Sequence, residues 1–503
     1  MRSWMLGLIL LLAAACTGQV DDPGGDGSLD ADGSGAADAD DGDAGPGDPG
    51  PGDPGPGDPG PGDPGPGDPG PADSDPQPQD ICAERSAAIA AATGDTIEVA
   101  PGPPGQVLVG GQTRSLRQVV MDAQPGDTIL LADGSYTFRE SSGDNDYTGL
   151  YFTTADVTLR GASGDAAAVV LDSAYADHGG QSGVITVAAP GIVLADFTVQ
   201  RSIFHLIHIQ SDGDDVVVHQ VHLVDGGQQL LKASGSQIDG VEVGCSRFAI
   251  SAAGRDNIWG YGPVDGGTRC YTGGIDTHDA RDWWIHDNRF SGIYCTAGGV
   301  QRPAHGKKAE LRDGQTYTGG LAEHAVHMWD AVDGHGHLIE RNRIVNCARG
   351  IGLGMTAEVH DSIIRNNTVF SEHAGGGEHD VGIILERAHD CLLANNTVLL
   401  SSPQAYANAI EYRWASTSGL ALHNNLTNRT IRARDGAQAD SSHNLDSAQA
   451  AWFSDPAAGD LHLADCGLQA VVGAGTPLAE VPDDLDQQPR HQRNDIGADQ
   501  CEQ

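Results

Sequence analysis

Aromatic and basic residues are scarce in this chain. Of its 503 residues only 5% are aromatic, and 28 Lys and Arg stand against 70 Asp and Glu, for a formal net charge of −42. So few cations argue against a nucleic-acid-binding protein, because affinity for phosphates rests on clustered Lys and Arg. The same shortage disfavours docking on anionic lipid. Glycine is plentiful instead, with 70 residues, which is more typical of a fold with many tight turns than of a helical bundle.

Much of the negative charge lies in one N-terminal segment. Residues 17–80 contain 17 Asp and no Glu, Lys or Arg, and Asp-Pro-Gly-Pro-Gly units repeat there. Pro and Gly break helices and strands, and the carboxylates repel one another, so we predict an extended, disordered tether. A calcium-binding Asp array is the alternative, but no fixed geometry would hold its ligands. Residues 81–503 hold 53 of the 70 acidic and 27 of the 28 basic residues, and the remaining base is Arg2.

The first residues have the pattern of an export signal. Arg2 is followed by an apolar run from Met5 to Ala15, which is shorter than the about 20 residues that span a bilayer. The small residues before Cys16 resemble a bacterial lipobox, and the resemblance implies lipidation of Cys16. We therefore expect an exported outer-membrane or cell-surface lipoprotein that touches the membrane only through its lipid. Ordinary cleavage after Ala15, giving a secreted protein, is the alternative.

A repeat of 24–29 residues runs through most of the chain after the tether. Eight residues occupy equivalent positions in successive repeats, here called one slot. The first three of them are 24 and 25 residues apart in sequence, and the last three are 29 apart. A period of this length, with three short strands per turn, is typical of a parallel β-helix, in which stacked Asn at a bend can bond to one another. The slot holds Phe197, Val221, Ser246, Asn288, Asn342, Asn367, Asn396 and Asn425.

The start of the repeat region carries a family resemblance. A short helix, with Ser115 as its N-cap, precedes Pro125-Gly126-Asp127-Thr128-Ile129. With the Asn-Asn-Thr-Val segments, this opening resembles the right-handed parallel β-helix superfamily, the pectate-lyase-like fold, over about residues 115–445. The implied fold class is all-β, a right-handed parallel β-helix with a short N-terminal capping helix.

The expected organisation has four parts, in a chain we expect to be monomeric. They are a signal peptide (1–15), a lipidated Cys with its tether (16–80), the β-helix (81–465) and a C-terminal cap segment (466–503). Asp486-Gln487-Gln488-Pro489-Arg490 resembles the closing segment of secreted β-helix proteins. Beyond Cys16 there are eight Cys, an even count that indicates disulfides in an exported chain. We predict the pairs Cys466–Cys501 and Cys270–Cys295.

A second strand of each coil predicts two outward ladders of side chains. Its first and third positions are mostly apolar and face the core, so its second and fourth positions face outward. Coils stack about 4.8 Å apart, which puts Lys232, Asp276 and His327 within reach of one another on rigid elements. The first ladder reads His208, Lys232, Asp276, His327, Gly352, Ile384 and Glu411. The second reads Gln210, Ser234, His278, Trp329, Gly354, Glu386 and Arg413.

Two long insertions leave the repeat at the same corner. The spacing rises to 42 residues between Ser246 and Asn288 and to 54 between Asn288 and Asn342. Stacked insertions can wall a groove, although ornamental loops are the alternative. The insertions carry Trp259, Tyr261, Arg269, Tyr271, Arg302, His305, Lys307, Lys308, Arg312 and Tyr317. We predict a substrate-binding role for Arg269, Tyr271, Lys307 and Lys308, together with Trp329 and Arg413.

The first of three functions left open is a polyuronate lyase or C5-epimerase. Both remove the C5 proton beside a carboxylate, which needs a neutralising cation or metal, a base and a proton donor. We predict Lys232, Asp276, His278 and His327 as the catalytic residues. The base is His278 or Lys232, the donor Tyr271 or His327, and the neutraliser Arg269 or Lys232.

One segment bears on the epimerase alternative. Asp276-Thr277-His278-Asp279 is similar to the Asp-Pro-His-(Asp/Glu) signature of mannuronan C5-epimerases. In that family the Asp and His are catalytic, which implies these roles for Asp276 and His278. This chain departs from the signature in having Thr277, and Tyr271 lies farther upstream than the family's tyrosine.

Two functions of other classes compete. Asp276, His278 and His327, with His324 or Glu323, are a candidate metal site, and such a set suits Zn²⁺ or Fe²⁺ better than calcium, which prefers oxygen ligands. A divalent ion such as calcium stays open as the cofactor. Alternatively the chain is a non-catalytic surface protein that binds glycans, with Trp329 stacking on sugars. A hydrolase ranks lower, because Asp483-Asp484 lies outside the ladders.

Overall fold

A computed structural model describes residues 79–89, 93–143, 145–235, 237–258, 260–264, 267–295, 316–319, 321–329, 334–355, 357–372, 379–401, 408–490 and 494–501. The predicted signal peptide, Cys16 and the tether as far as residue 78 lie outside these residues, as do Lys307 and Lys308. The last two residues of the predicted tether are not disordered but belong to the helix Gln79–Ile89. Within the described part of the chain, no helix is long and apolar enough to cross a membrane.

The described strands wind into the predicted parallel β-helix. One face is a ten-stranded sheet, here called the site sheet, whose neighbouring strands pair in parallel. Its strands, in stacking order, are Leu150–Phe152, Gly183–Val187, His205–Ile209, Leu231–Ala233, Ile275–Thr277, His324–Met328, Arg349–Leu353, Ile383–Glu386, Asn408–Arg413 and Thr430–Arg434. Another face of the coils is a five-stranded sheet. Its strands are Ile238–Asp239, Ala280–Arg281, Gly334–His335, Val359–His360 and Ala388–His389.

The remaining strands of the coils belong to one 22-stranded sheet made of two rows. The two rows count as one sheet because the long strands Val193–Ser202 and Val217–Gly226 pair with members of both. The first row is Thr96–Pro101, Thr128–Leu131, Thr158–Gly161, Val193–Ser202, Val217–Gly226, Glu242–Gly244, Trp284–His286, Leu338–Glu340, Ile363–Arg365, Leu392–Ala394, Ala421–His423 and Asp440–Ser442. The second adds Gly134–Thr137, Val169–Asp172, Arg247–Ala249, Arg289–Ser291, Arg343–Val345, Thr368–Ser371, Thr397–Leu400 and Leu426–Thr427, and a short antiparallel pair is Val107–Val109 with Gln112–Arg114.

The remaining elements are short. The helices are Gln79–Ile89, Leu116–Asp122 and Ala252–Arg255, with 3₁₀ turns at Ala450–Trp452 and Pro456–Ala458. The predicted N-cap is confirmed, since the Ser115 side chain accepts a bond from the Gln118 amide. There are two small sheets among the described residues. One has three strands, Gly260–Val264, Gly267–Cys270 and Thr316–Gly319, and the other has two, Phe453–Asp455 and Asp460–Leu463.

The core is a stack of apolar side chains that repeat with the coils. On the site sheet the fully buried residues Ile207, Leu231, Ile275, Val326 and Ile351 lie directly above one another in register. Each coil alone cannot cover its apolar face, and stacking buries the faces in one continuous core. The inward alternation therefore fixes the register, and with it the residues that face outward.

The slot that was predicted to hold stacked asparagines does so. The Nδ2 of Asn342, Asn367 and Asn396 each donates to the Oδ1 of the next Asn at 3.0 Å, and each also donates to backbone carbonyls. The row, here called the asparagine ladder, extends one coil farther than predicted, to Asn444. Its members are Ser246, Asn288, Asn342, Asn367, Asn396, Asn425 and Asn444. All but Asn444 are buried, and their amides are bonded along the stack.

The described cysteines form three disulfides. Cys270–Cys295 and Cys466–Cys501 are confirmed as pairs, and Cys347 and Cys391 are free and buried. The third bond, Cys82–Cys245, attaches the helix Gln79–Ile89 to the side of the coils. That helix was not predicted; it is further held by an ion pair between Arg85 and Glu242 at 2.6 Å.

The segment predicted to be a C-terminal cap lies along the side of the coils. Asn395 donates to the carbonyls of Asp495 and Gly497, and Asn424 donates to that of Thr476. Arg490 reaches the Oδ1 of Asn366 at 3.0 Å. The segment therefore covers the turns that precede the asparagine ladder.

Candidate functional site

The first outward ladder has the register predicted for it. Strand pairing aligns His208 with Lys232, Lys232 with Asp276, Asp276 with His327 and His327 with Gly352. Ile384 and Glu411 follow in the same row, here called the site ladder. In the second predicted ladder, Glu386 and Arg413 lie in paired strands and are aligned with each other. His278 and Trp329 each follow the last residue of a strand, since those strands end at Thr277 and Met328.

Lys232 is the centre of a compact charged cluster. Its ammonium donates to Oδ2 of Asp276 and lies 2.9 Å from Nε2 of His278. On the far side of Asp276, Nδ1 of His327 lies 3.2 Å from Oδ1 without forming a hydrogen bond. Lys232, Asp276 and His327 were expected to be solvent-facing, yet they are only 5%, 3% and 3% exposed. The four predicted catalytic residues thus lie together.

Mutual contact sets the charges within the cluster. Burial raises the pKa of Asp276, but Lys232 and His327 outweigh it and hold that pKa well below its ordinary value. Burial lowers the pKa of His327, and Asp276 outweighs burial, so the pKa of His327 is raised. A buried charge persists only when it is paired in this way. Asp276 is therefore an ionised carboxylate that lies between the Lys232 ammonium and the His327 ring.

His278 is the member of the cluster that solvent reaches. Its side chain is 33% exposed, against 7% for Lys232. The edge of the His278 ring meets Trp329 with the ring centres 4.6 Å apart, and Trp329 lies nearly parallel to His327 at 6.2 Å. The half-buried Trp329 and His278 form the accessible surface over the buried ion pairs.

His208 closes the cluster on the opposite side. Its ring nitrogens lie 2.6 Å from the hydroxyl of Ser182 and 2.7 Å from that of Ser234. Burial, and then the neighbouring Lys232, lower the pKa of His208 to about 4, so the imidazole is neutral at pH 7. The charged part of the ladder therefore begins at Lys232.

The two insertions meet, as predicted. Gly267–Cys270 from the first pairs in parallel with Thr316–Gly319 from the second, and the Cys270–Cys295 disulfide links their bases. Tyr271 is half-buried on the segment that leads into the strand of Asp276. The side chain of Arg269 lies outside the described residues, as do Lys307 and Lys308, so their substrate-binding roles stay predictions.

Arg413 is engaged by carboxylates. It lies 2.8 Å from Asp435 and 3.3 Å from Glu386, and its guanidinium lies over the Trp414 ring at 4.5 Å. Two acidic partners already balance this cation, so its predicted part in substrate binding has no support in its contacts.

Metal-ligating side chains converge at three places among the described residues. The groups are Glu323–His324–His327, Glu358–His360–His389 and His462–Asp486–Asp499, each with ligand atoms within 4.8 Å of one another. The predicted set of Asp276, His278 and His327 shares one residue with the first group. In that set the Lys232 ammonium already donates a hydrogen bond to Oδ2 of Asp276. Its positive charge disfavours a metal ion at the same oxygen.

Comparisons with known proteins show no assignment by sequence. No protein-family profile and no curated protein matches the chain. A pectate lyase, Pel9A, is similar in structure at 13% identity, covering 82% of this chain and 98% of its own, with a TM-score of 0.41. The mannuronan C-5 epimerase AlgE4 A-module of Azotobacter vinelandii matches at 14% identity over 65% and 92%, with a TM-score of 0.28.

A surface adhesin of Streptococcus pneumoniae, PfbA, also matches, at 10% identity over 64% of this chain and 80% of that one, with a TM-score of 0.32. The neighbours thus include enzymes and an adhesin, and at these TM-scores none of them decides an activity.

Proposed function

We propose that the chain is an enzyme that removes the C5 proton of a uronate in an acidic polysaccharide, as a lyase or a C5-epimerase. The observation that carries the proposal is the contact of Lys232 with both Asp276 and His278, next to the half-buried Trp329. Proton removal beside a carboxylate needs a cation for that carboxylate and a base at the ring face. Lys232 can supply the cation and His278 the base, and their nitrogens lie 2.9 Å apart.

Lys232 suits the part of the cation. Its ammonium donates a charge-assisted hydrogen bond to the buried carboxylate of Asp276, and bonds of this kind are among the stronger ones in proteins. A uronate carboxylate that reaches Lys232 gains an ammonium already desolvated by the protein, where electrostatic attraction is stronger than in water.

His278 suits the part of the base. An ammonium can only donate, so Nε2 of His278, 2.9 Å from Lys232, is the accepting and unprotonated nitrogen. When Lys232 turns toward a substrate carboxylate, that lone pair becomes free to take the C5 proton. His327, which is 3% exposed, acts here as a positioning residue for Asp276 rather than as a donor to the sugar.

Product analysis tests the proposal and separates its two forms. The full chain is incubated with polymannuronate, polyguluronate and polygalacturonate, with divalent metal supplied. A lyase produces an unsaturated uronate that absorbs in the ultraviolet, whereas an epimerase changes the epimer ratio seen by proton NMR without chain cleavage. Neither change on any of the three polymers would overturn the proposal.

Binding without turnover is the second candidate function, and Trp329 is the observation that favours it. Its half-buried ring lies beside His278 on the outer face of the coils, where an aromatic ring can stack on a sugar. Retention of a uronate polymer by the wild-type chain, weakened by Trp329→Ala and without any product, would favour a glycan-binding protein.

A further inference from the structure

One histidine at the edge of the site has no polar partner. His324 is 6% exposed, and neither of its ring nitrogens has a hydrogen bond in the described structure. Buried polar groups in native proteins are almost always bonded, and an orphan calls for an explanation such as an ion. An imidazole with both nitrogens unused can offer either of them to a metal ion.

Two further ligands face this ring. The His324 and His327 rings lie 4.6 Å apart, and a carboxylate oxygen of Glu323 completes a group whose ligand atoms are within 4.8 Å of one another. Since Nδ1 of His327 faces Asp276, its Nε2 is the nitrogen left to bind an ion. A carboxylate behind the other ring nitrogen is the usual support of a metal-binding histidine.

The neighbouring coil makes room for His324. The next residue of the site ladder is Gly352, and a Cβ at that position would lie 2.8 Å from Nε2 and 2.9 Å from Cδ2 of the His324 ring. The imidazole therefore occupies the place of a ladder side chain, directly beyond His327. Arg349 forms an ion pair with Glu323 at 3.8 Å, without a hydrogen bond, and lies nearer to Asp380, at 3.3 Å.

We propose that Glu323, His324 and His327 bind a divalent transition-metal ion of the zinc or iron(II) class. Two imidazoles and one carboxylate that leave coordination positions open suit these ions, whereas calcium prefers oxygen ligands alone. The role of the ion rests on the proposed function: an open position would take the uronate carboxylate next to Lys232. The metal site itself stands independently of that role.

The other two convergent groups differ in the state of their histidines. In Glu358–His360–His389 the His389 Nδ1 lies 2.9 Å from the Ser418 hydroxyl, and the Glu358 side chain is 43% exposed. In the third group both nitrogens of His462 are taken by Asp460 and Asp486, at 2.5 and 2.6 Å. His324 alone of these described histidines is both buried and wholly unbonded.

Metal binding by the full chain tests the proposal. The protein is stripped with a chelator and dialysed against Zn²⁺ or Co²⁺, and bound metal is measured by elemental analysis, with the visible spectrum of Co²⁺ reporting histidine ligation. The variants are His324→Leu, which removes a ligand; Gly352→Ala, which keeps all ligands but crowds the ring; and His360→Ala as the control at the exposed group. Because an unbonded imidazole costs stability, metal-free His324→Leu is expected to melt no lower than wild type.

We expect the wild type and His360→Ala to bind a single metal equivalent and to melt at a higher temperature with it. We expect His324→Leu to lose that equivalent and the shift, and Gly352→Ala to bind at least ten-fold more weakly. Equal metal and equal spectra in His324→Leu and wild type, or no metal in the wild type, would overturn the site. A metal-binding chain that leaves polyuronates unchanged would instead overturn the proposed function.

Discussion

The asparagine ladder and the site ladder lie on the same coils but differ in how their residues vary from one coil to the next. The asparagine ladder repeats one residue, and its buried amides are bonded to the next coil. The site ladder changes residue at each coil, from Lys232 to Asp276 to His327, and beyond it lies the unbonded His324. Identical stacking geometry thus serves stability at one corner and a set of unlike charges on another face. A row that repeats is structural, and a row that varies is where function can reside.

The largest effect we expect is on activity at the varied row. His278→Ala removes the proposed base and should lower turnover about 10²–10⁴-fold while leaving the melting temperature near that of wild type. His360→Ala is the matched control, because its side chain is 31% exposed against 33% for His278 and it lies on another face. Equal activity in His278→Ala and wild type would remove His278 from the mechanism.

Breaking the buried ion pair comes next. Lys232→Met leaves the Asp276 carboxylate buried without its ammonium and should cost about 3–5 kcal/mol of unfolding free energy, measured by chemical denaturation. The double variant Lys232→Met with Asp276→Leu should recover most of that loss, because both charges are gone, but not the activity. A single variant as stable as wild type would contradict the pairing.

Breaking the repeated row should affect stability alone. Asn367→Ala removes the partner of Asn342 and Asn396 and should cost about 1–3 kcal/mol, because buried amides lose hydrogen bonds. Asn444→Ala, at the half-buried end of the same ladder, should cost less. Turnover per folded molecule should stay unchanged in both. Loss of turnover in folded Asn367→Ala would blur the contrast between the ladders.

A pH-dependent contribution to stability is expected at His462, in the strand Asp460–Leu463. Although burial opposes it, Asp460 and Asp486 raise the pKa of His462 from 6.5 to about 10. The folded form therefore binds the proton more tightly, so this contribution is full below pH 6.5 and is lost as pH rises toward about 10. Melting temperatures across that range should fall in wild type and stay flatter in His462→Gln. Parallel curves for the two proteins would contradict the assignment.

The coil register and the site ladder were predictable from sequence because inward apolar residues alternate without interruption. Once Ile207, Leu231, Ile275 and Val326 face the core, the positions of Lys232, Asp276 and His327 follow. The asparagine slot was visible because the same residue recurs. The pairs Cys270–Cys295 and Cys466–Cys501 join segments near in sequence, at separations of 25 and 35.

What escaped prediction depends on contacts between distant or irregular segments. Cys82–Cys245 spans 163 residues and rests on a helix outside the repeat. His324 precedes the aligned part of its strand, so it was only an optional metal ligand. Gly352, the small residue that opens the ladder to the His324 ring, was the available signal. The burial of Lys232 and Asp276 follows from their mutual pairing, which alternation alone does not show.

Release of the C5 hydrogen tests the central claim most directly, because lyases and epimerases share that step. A uronate polymer labelled with a hydrogen isotope at C5 is incubated with the wild type, His278→Ala and His360→Ala, and the label that enters water is counted. We predict release by wild type and His360→Ala and a loss of about 10²-fold or more in His278→Ala. No release by the wild type, or release by His278→Ala at the wild-type rate, would contradict the account.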